Sequence, residues 1–123
     1  MPVHDGDTLT VLQGRTQVRV RLADIDAPEL RQDFGTRSRQ SLAELCFRKE
    51  ATLHERGRDR YGRVLAAVSC EGDDANAEQV RRGMSWVYVR YAPKDSPLYA
   101  IEADARVQRR GMWAMPAPVP PWE

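Results

Sequence analysis

His4-Asp5-Gly6-Asp7-Thr8 and, one strand pair later, Arg21-Leu22-Ala23-Asp24-Ile25-Asp26-Ala27-Pro28-Glu29 set the pattern for the whole chain. Residues 8–12 alternate polar and apolar with β-branched side chains, Gln13-Gly14-Arg15 forms a turn, and residues 16–22 alternate strictly. A hairpin of two strands therefore joins the two acidic segments. Val18, Val20 and Leu22 fall on one face, the core face, and Arg19 and Arg21 on the other. Strict alternation leaves Arg21 and Asp26 on opposite faces, so the chain must bend between them if both serve one site. Ala27-Pro28 ends the strand there, because proline has no N–H to give a ladder. Carboxylates beside an arginine are what a cation-assisted attack on a phosphate needs.

Beyond this stretch, Leu42, Leu45 and Cys46 repeat at helical spacing, giving a first helix over residues 36–47 capped by Thr36 or Gly35. Residues 50–55 and 64–69 are two further strands around a charged turn. That turn holds Arg56, Arg58, Arg60 and Arg63, as a solvated tip or as a phosphate contact. Asp73 or Asp74 caps a second helix with Ala75, Ala77 and Val80 inside, and Gly83 closes it after Arg81 and Arg82. Residues 84–89 read as a final strand. Ser96-Pro97 starts a third helix whose buried stripe is Leu98, Ile101 and Ala105, closed by Gly111. Met112 and Trp113 tuck back onto the core.

From residue 115 onward Pro116, Pro118, Pro120 and Pro121 make an extended tail, ordered through docking of Trp122. With no repeat and no internal break, residues 1–114 form one domain and 115–123 its tail. The expected fold is α+β: a small five-stranded antiparallel β-barrel of the oligonucleotide/oligosaccharide-binding (OB) type with three α-helices. The acidic motif begins at residue 5, so the first barrel strand is very short or truncated.

A chain of 123 residues suffices for a core without staples. No apolar run reaches the length of a membrane span, and no secretory h-region is present. Net charge is only +1, yet all but two of the 19 Lys and Arg residues are arginines. Arginine suits phosphate through its bidentate fork, but a GC-rich genome gives the same bias.

Three ordered motifs then carry a resemblance over residues 5 to 113: Asp5-Gly6-Asp7-Thr8, Arg21 through Asp26-Ala27-Pro28-Glu29, and Asp59-Arg60-Tyr61-Gly62-Arg63. Any one of them is commonplace as a turn; three in order with matching elements between are not. The chain resembles the staphylococcal nuclease (thermonuclease) family. The resemblance implies a calcium-dependent phosphodiesterase acting on DNA and RNA. A monomer with no membrane partner is expected. By position, Asp7 and Asp26 match its calcium carboxylates and Ala27 a backbone carbonyl ligand, where the family usually has threonine. Asp5 matches an outer support, Glu29 the proposed general base, and Arg21 and Arg63 the two arginines on the scissile phosphate. Tyr61 and Arg60 lie in the third motif, beside the nucleotide phosphate. Tyr91 aligns with a nucleotide-stacking tyrosine, while Tyr88 is one residue out of step with the other. The alternative is a binding module of the same fold that no longer cuts; such relatives usually lose the acids or arginines kept here.

Asp24, two residues from Asp26, competes as a ligand on spacing alone. His4 and His54 read as surface residues. Cys46 and Cys70 lie equally far from the hairpin centre near Arg58, so they are expected as neighbours, either as a disulfide or as two buried thiols. A disulfide would point to the periplasm or to secretion.

Overall fold

A computed structural model describes residues 2–116 and 118–121. In chain order the elements are β1 (Val3–Asp5), β2 (Thr8–Gln13), β3 (Thr16–Leu22), β4 (Ile25–Asp26), α1 (Gly35–Cys46), β5 (Ala51–Arg58), β6 (Val64–Cys70), β7 (Asp73–Asp74), α2 (Ala75–Arg81), β8 (Trp86–Val87) and α3 (Leu98–Val107). A short 3-10 helix, Gly111–Ala114, follows.

The main sheet runs β1-β2-β3-β6-β5, with β7 paired to the end of β6. The expected all-antiparallel sheet is corrected to a mixed one, because β3 and β6 pair in parallel with Val20 opposite Val64 and Arg21 opposite Leu65. The cause is the long crossover through α1 and β5, which brings the chain back in the direction it left. Among the described residues the hydrogen-bonded path is open, with β1 at one edge and β5 at the other.

The strand expected over residues 84–89 shrinks to β8 and lies outside that sheet, pairing with β4 as a separate ribbon. The hairpin tip is also smaller than expected. β5 continues through Arg56 to Arg58, with a register irregularity between Glu55 and Arg58 where Gly57 takes a φ of 108°. The α1 cap is neither Thr36 nor Gly35 but Phe34, in the left-handed region at φ 68°. Asp74 caps α2 as expected, accepting from the N–H of Ala77 at 3.0 Å.

Leu9, Val20, Leu22, Ile25, Leu42, Val68 and Val80 meet in one core. Burying each such side chain contributes about 1.5–3 kcal/mol. The two cysteines form a disulfide with Cα atoms 5.2 Å apart. Their neighbourhood differs from hairpin symmetry: Ala51, not Cys46, faces Cys70 across the ladder. Cys46 instead ends α1, so the bond staples that helix to β6.

After the 3-10 helix the chain returns toward the loop before α1, where Gln32 Nε2 donates to the carbonyl of Val119 at 3.3 Å and Pro120 is buried. Trp122, expected to dock the tail, lies outside the described residues. No helix among the described residues is long and apolar enough to cross a membrane.

Candidate active site

The bend required between Arg21 and Asp26 is present. After β3 the chain turns at Asp24, which sits at φ 68°. Asn76 of α2 pins this turn from the core: its Nδ2 donates to Ala23 O at 2.9 Å, while its Oδ1 accepts from Val68 N at 2.9 Å. The bend brings Arg21 and Asp26 onto the same site. Nη1 of Arg21 donates to the carbonyls of Leu22 and Ile25, each at 2.8 Å. The guanidinium also lies 3.4 Å from Asp7 Oδ2 and 3.2 Å from Asp26 Oδ1. The two carboxylates thus share one arginine whose side chain is only 12% exposed.

Asp7 is held from other sides as well. Its Oδ2 accepts from the N–H of Ala27 at 2.9 Å and its Oδ1 from the hydroxyl of Thr8 at 3.0 Å. The N–H of Asp7 in turn donates to Asp5 Oδ1 at 3.0 Å, the usual behaviour of an Asp in a tight turn. Acid outweighs base in this cluster. Burial, with the neighbouring charge of Asp7, pushes the Asp5 carboxyl up to about 6. Burial also raises Asp26; Arg21 opposes the rise, and the charges of Asp5 and Glu29 add to it. Glu29 itself is exposed, and its N–H donates to Gln32 Oε1 at 2.8 Å. Its backbone is pressed against α1: a Cβ on Gly35 would collide with the Glu29 carbonyl oxygen and stand 2.8 Å from Leu30 Cα.

Arg63 comes from the distant hairpin. It directly precedes β6, whose Leu65 lies opposite Arg21 of β3. Its guanidinium is bonded to Asp59, Nε to Oδ2 at 2.6 Å, and not to Asp7 or Asp26. Asp59 Oδ1 also accepts from the N–H groups of Tyr61 and Arg63, at 3.0 and 2.9 Å. Burial works against ionisation of Asp59, but these bonds outweigh it and hold the carboxyl below its ordinary value. Tyr61, 71% exposed, has the guanidinium groups of Arg60 and Arg63 at 5.3 and 5.5 Å from its ring centre. Tyr88 and Tyr91 pack edge to face at 5.0 Å, with Tyr91 73% exposed. The N–H of Tyr88 donates to Asp24 O at 2.8 Å, which ties this pair to the bend.

Asp24, the rival of Asp26 on spacing, pairs its carboxylate with Arg56. His4 is half-buried rather than a surface group, its Nε2 2.8 Å from Thr10 Oγ1. Asn76 and Gln79 are residues that the sequence did not single out, and Asp59 was quoted in a motif without a role of its own. The signal that was available is that Asn76 and Gln79 lie three apart on α2 beside apolar residues, and both are buried.

For a metal, the donor chemistry fits a hard divalent cation: carboxylate oxygens from Asp7 and Asp26 that share a single counterion, Arg21. Among the described residues no group of three or more His, Cys, Asp or Glu is arranged to enclose an ion, so these two carboxylates would not form a cage by themselves. Water and a phosphate oxygen would have to complete the shell.

Paired carboxylates and a fixed guanidinium on an α+β scaffold are the makings of a phosphoryl-transfer site. Residues 19–115 match the family described as Staphylococcal nuclease homologue. A micrococcal nuclease of Shigella flexneri is 46% identical over 129 aligned residues, covering 97% of this chain and 74% of that protein. An uncharacterized endonuclease of Escherichia coli is 44% identical over 121 residues, covering 98% of this chain and 78% of its own length. One from Haemophilus influenzae is 40% identical over 121 residues, with 97% and 67% covered. The chain belongs to the staphylococcal nuclease homologue family.

Proposed function

We propose that this protein is a calcium-dependent nuclease that hydrolyses phosphodiester bonds of DNA and RNA by attack of water. That it is a nuclease, a hydrolase, follows from its family; the ion, the substrates and the residue roles are the proposal. The observation that carries it is the single guanidinium of Arg21 shared by Asp7 and Asp26. Two carboxylates held against one cation are ready to accept a second.

In this reading Asp7, Asp26 and the carbonyl of Ala27 hold calcium, and Asp5 steadies Asp7 from behind. Bound there, calcium neutralises charge on the phosphate and lets an anionic nucleophile approach. Glu29, exposed beside the cluster, takes the proton of the attacking water. Arg21 and Arg63 grip the phosphate oxygens with forked donors that strengthen as charge builds in the transition state. Tyr61 and Arg60 flank that phosphate, and Tyr91 with Tyr88 offers the nucleotide an aromatic surface.

We read the scaffold as an OB-type barrel domain of residues 1–114 with a proline-rich tail at 115–123. The protein acts as a monomer, and its disulfide favours a periplasmic or secreted setting.

The test is cleavage of single-stranded DNA and of RNA by the wild type and Glu29→Ala, with calcium and with chelator. Calcium-dependent cleavage lost in Glu29→Ala is expected. Binding without turnover would make the protein a nucleic-acid-binding module instead, and full activity in Glu29→Ala would remove the base from its role.

A further inference from the structure

Gln79 lies on α2 with 0% exposure and reaches the acidic turn from the core side. Its Nε2 donates to the carbonyl of Gly6 at 2.8 Å and to that of Ser38 at 3.0 Å. Its Oε1 is buried with no partner among the described residues. Chemistry fixes this orientation: turned over, the amide would set an oxygen against two carbonyl oxygens, and only the NH₂ end donates. The orphaned Oε1 is a cost, so the glutamine is explained by what its Nε2 holds and not by apolar packing of α2.

What the donor holds is the middle of Asp5-Gly6-Asp7. Gly6 has no room to move: a Cβ on it would run into Ser38 Oγ and stand 2.7 Å from the Cβ of Ala27. Ser38 Oγ is itself tied to Met84 O at 2.6 Å. The turn is therefore gripped by α1 and α2 on one side and by Ala27 on the other, and Ala27 also bonds the Asp7 carboxylate.

We infer that Gln79 is a positioning residue of the metal site, holding the Gly6 carbonyl so that Asp7 faces Asp26 and thereby setting the affinity for calcium. This rests on the calcium reading above. Removing groups that orient ligands commonly costs about 10–100-fold in metal affinity.

The experiment is calcium titration by calorimetry on the wild type, Gln79→Met and Val68→Ala. The last variant loosens the same core while keeping the backbone N–H of residue 68 that donates to Asn76. For Gln79→Met a calcium Kd higher by about 10–100-fold is expected, with cleavage returning to near the wild-type rate at saturating calcium. Val68→Ala should keep the wild-type Kd. If Gln79→Met does not fold, Gln79→Leu carries the same test. Wild-type affinity in the Gln79 variant overturns the inference and leaves the nuclease reading standing. Equal weakening in Val68→Ala also overturns it, since general loosening would then suffice. A wild type that binds no calcium removes the reading beneath the inference and the inference with it.

Discussion

Arg21→Lys and Arg63→Lys should part company in stability while agreeing in activity. The Arg21 guanidinium serves four partners at once, the carbonyls of Leu22 and Ile25 and the carboxylates of Asp7 and Asp26. Lysine keeps the charge but presents it at one point, where it reaches about two of the four. Two lost bonds in a site where the side chain is 12% exposed, at about 1–1.5 kcal/mol each, predict a loss of about 2–3 kcal/mol. Arg63 has one ion pair, to Asp59, and its side chain is 27% exposed. Its replacement should cost less than about 1 kcal/mol. If both arginines grip the phosphate, each variant should nonetheless lose a factor of about 10³–10⁵ in single-turnover cleavage. Urea unfolding without calcium and single-turnover cleavage with it measure the two quantities. An Arg21→Lys protein as stable as the wild type would refute the account of the shared guanidinium. An Arg63→Lys protein that cuts at the full rate would refute the role of the hairpin.

Opening the disulfide, which closes a sequence separation of 24 residues, should destabilise the protein by about 3 kcal/mol on the chain-entropy account; identical urea midpoints for the wild type and the doubly substituted Cys46→Ala, Cys70→Ala variant would contradict this. Asp5, raised to about 6 from an ordinary 3.8, binds its proton more tightly folded than unfolded. Its contribution is therefore full below about pH 4 and lost as pH rises through about 6. The shift corresponds to about 3 kcal/mol, which solvent screening of a half-buried group reduces to about 1–2 kcal/mol. Without calcium, Asp5→Asn should lack this fall in stability between pH 4 and 7, and an unchanged pH slope in the variant would sink the assignment.

The parts legible in the sequence are those written in local pattern. Alternation over residues 16–22 gave the strand, its buried Val20 and Leu22, and the need for a bend that Asp24 supplies at φ 68°. The apolar spacing of Leu42, Leu45 and Cys46 placed α1 to within a residue at each end. Alternation says which face a residue takes but not which way the neighbouring strand runs, so the parallel pairing of β3 with β6 was hidden. The separation of β4 and β8 into their own ribbon was hidden for the same reason. The acids and Arg21 stood out because they are close in the chain. Asp59 could be quoted as part of a motif, but its grip on Arg63 depends on how the hairpin folds back. Gln79 acts across 73 positions, a distance over which single-sequence pattern carries no information.

The most direct test is a crystal structure of this protein soaked with calcium and a nucleoside bisphosphate. The ion is expected between Asp7 and Asp26 with the carbonyl of Ala27 among its ligands, and a phosphate between Arg21 and Arg63. An ion bound elsewhere, or a phosphate seated away from both arginines while Asp7 and Asp26 still share Arg21, would contradict this.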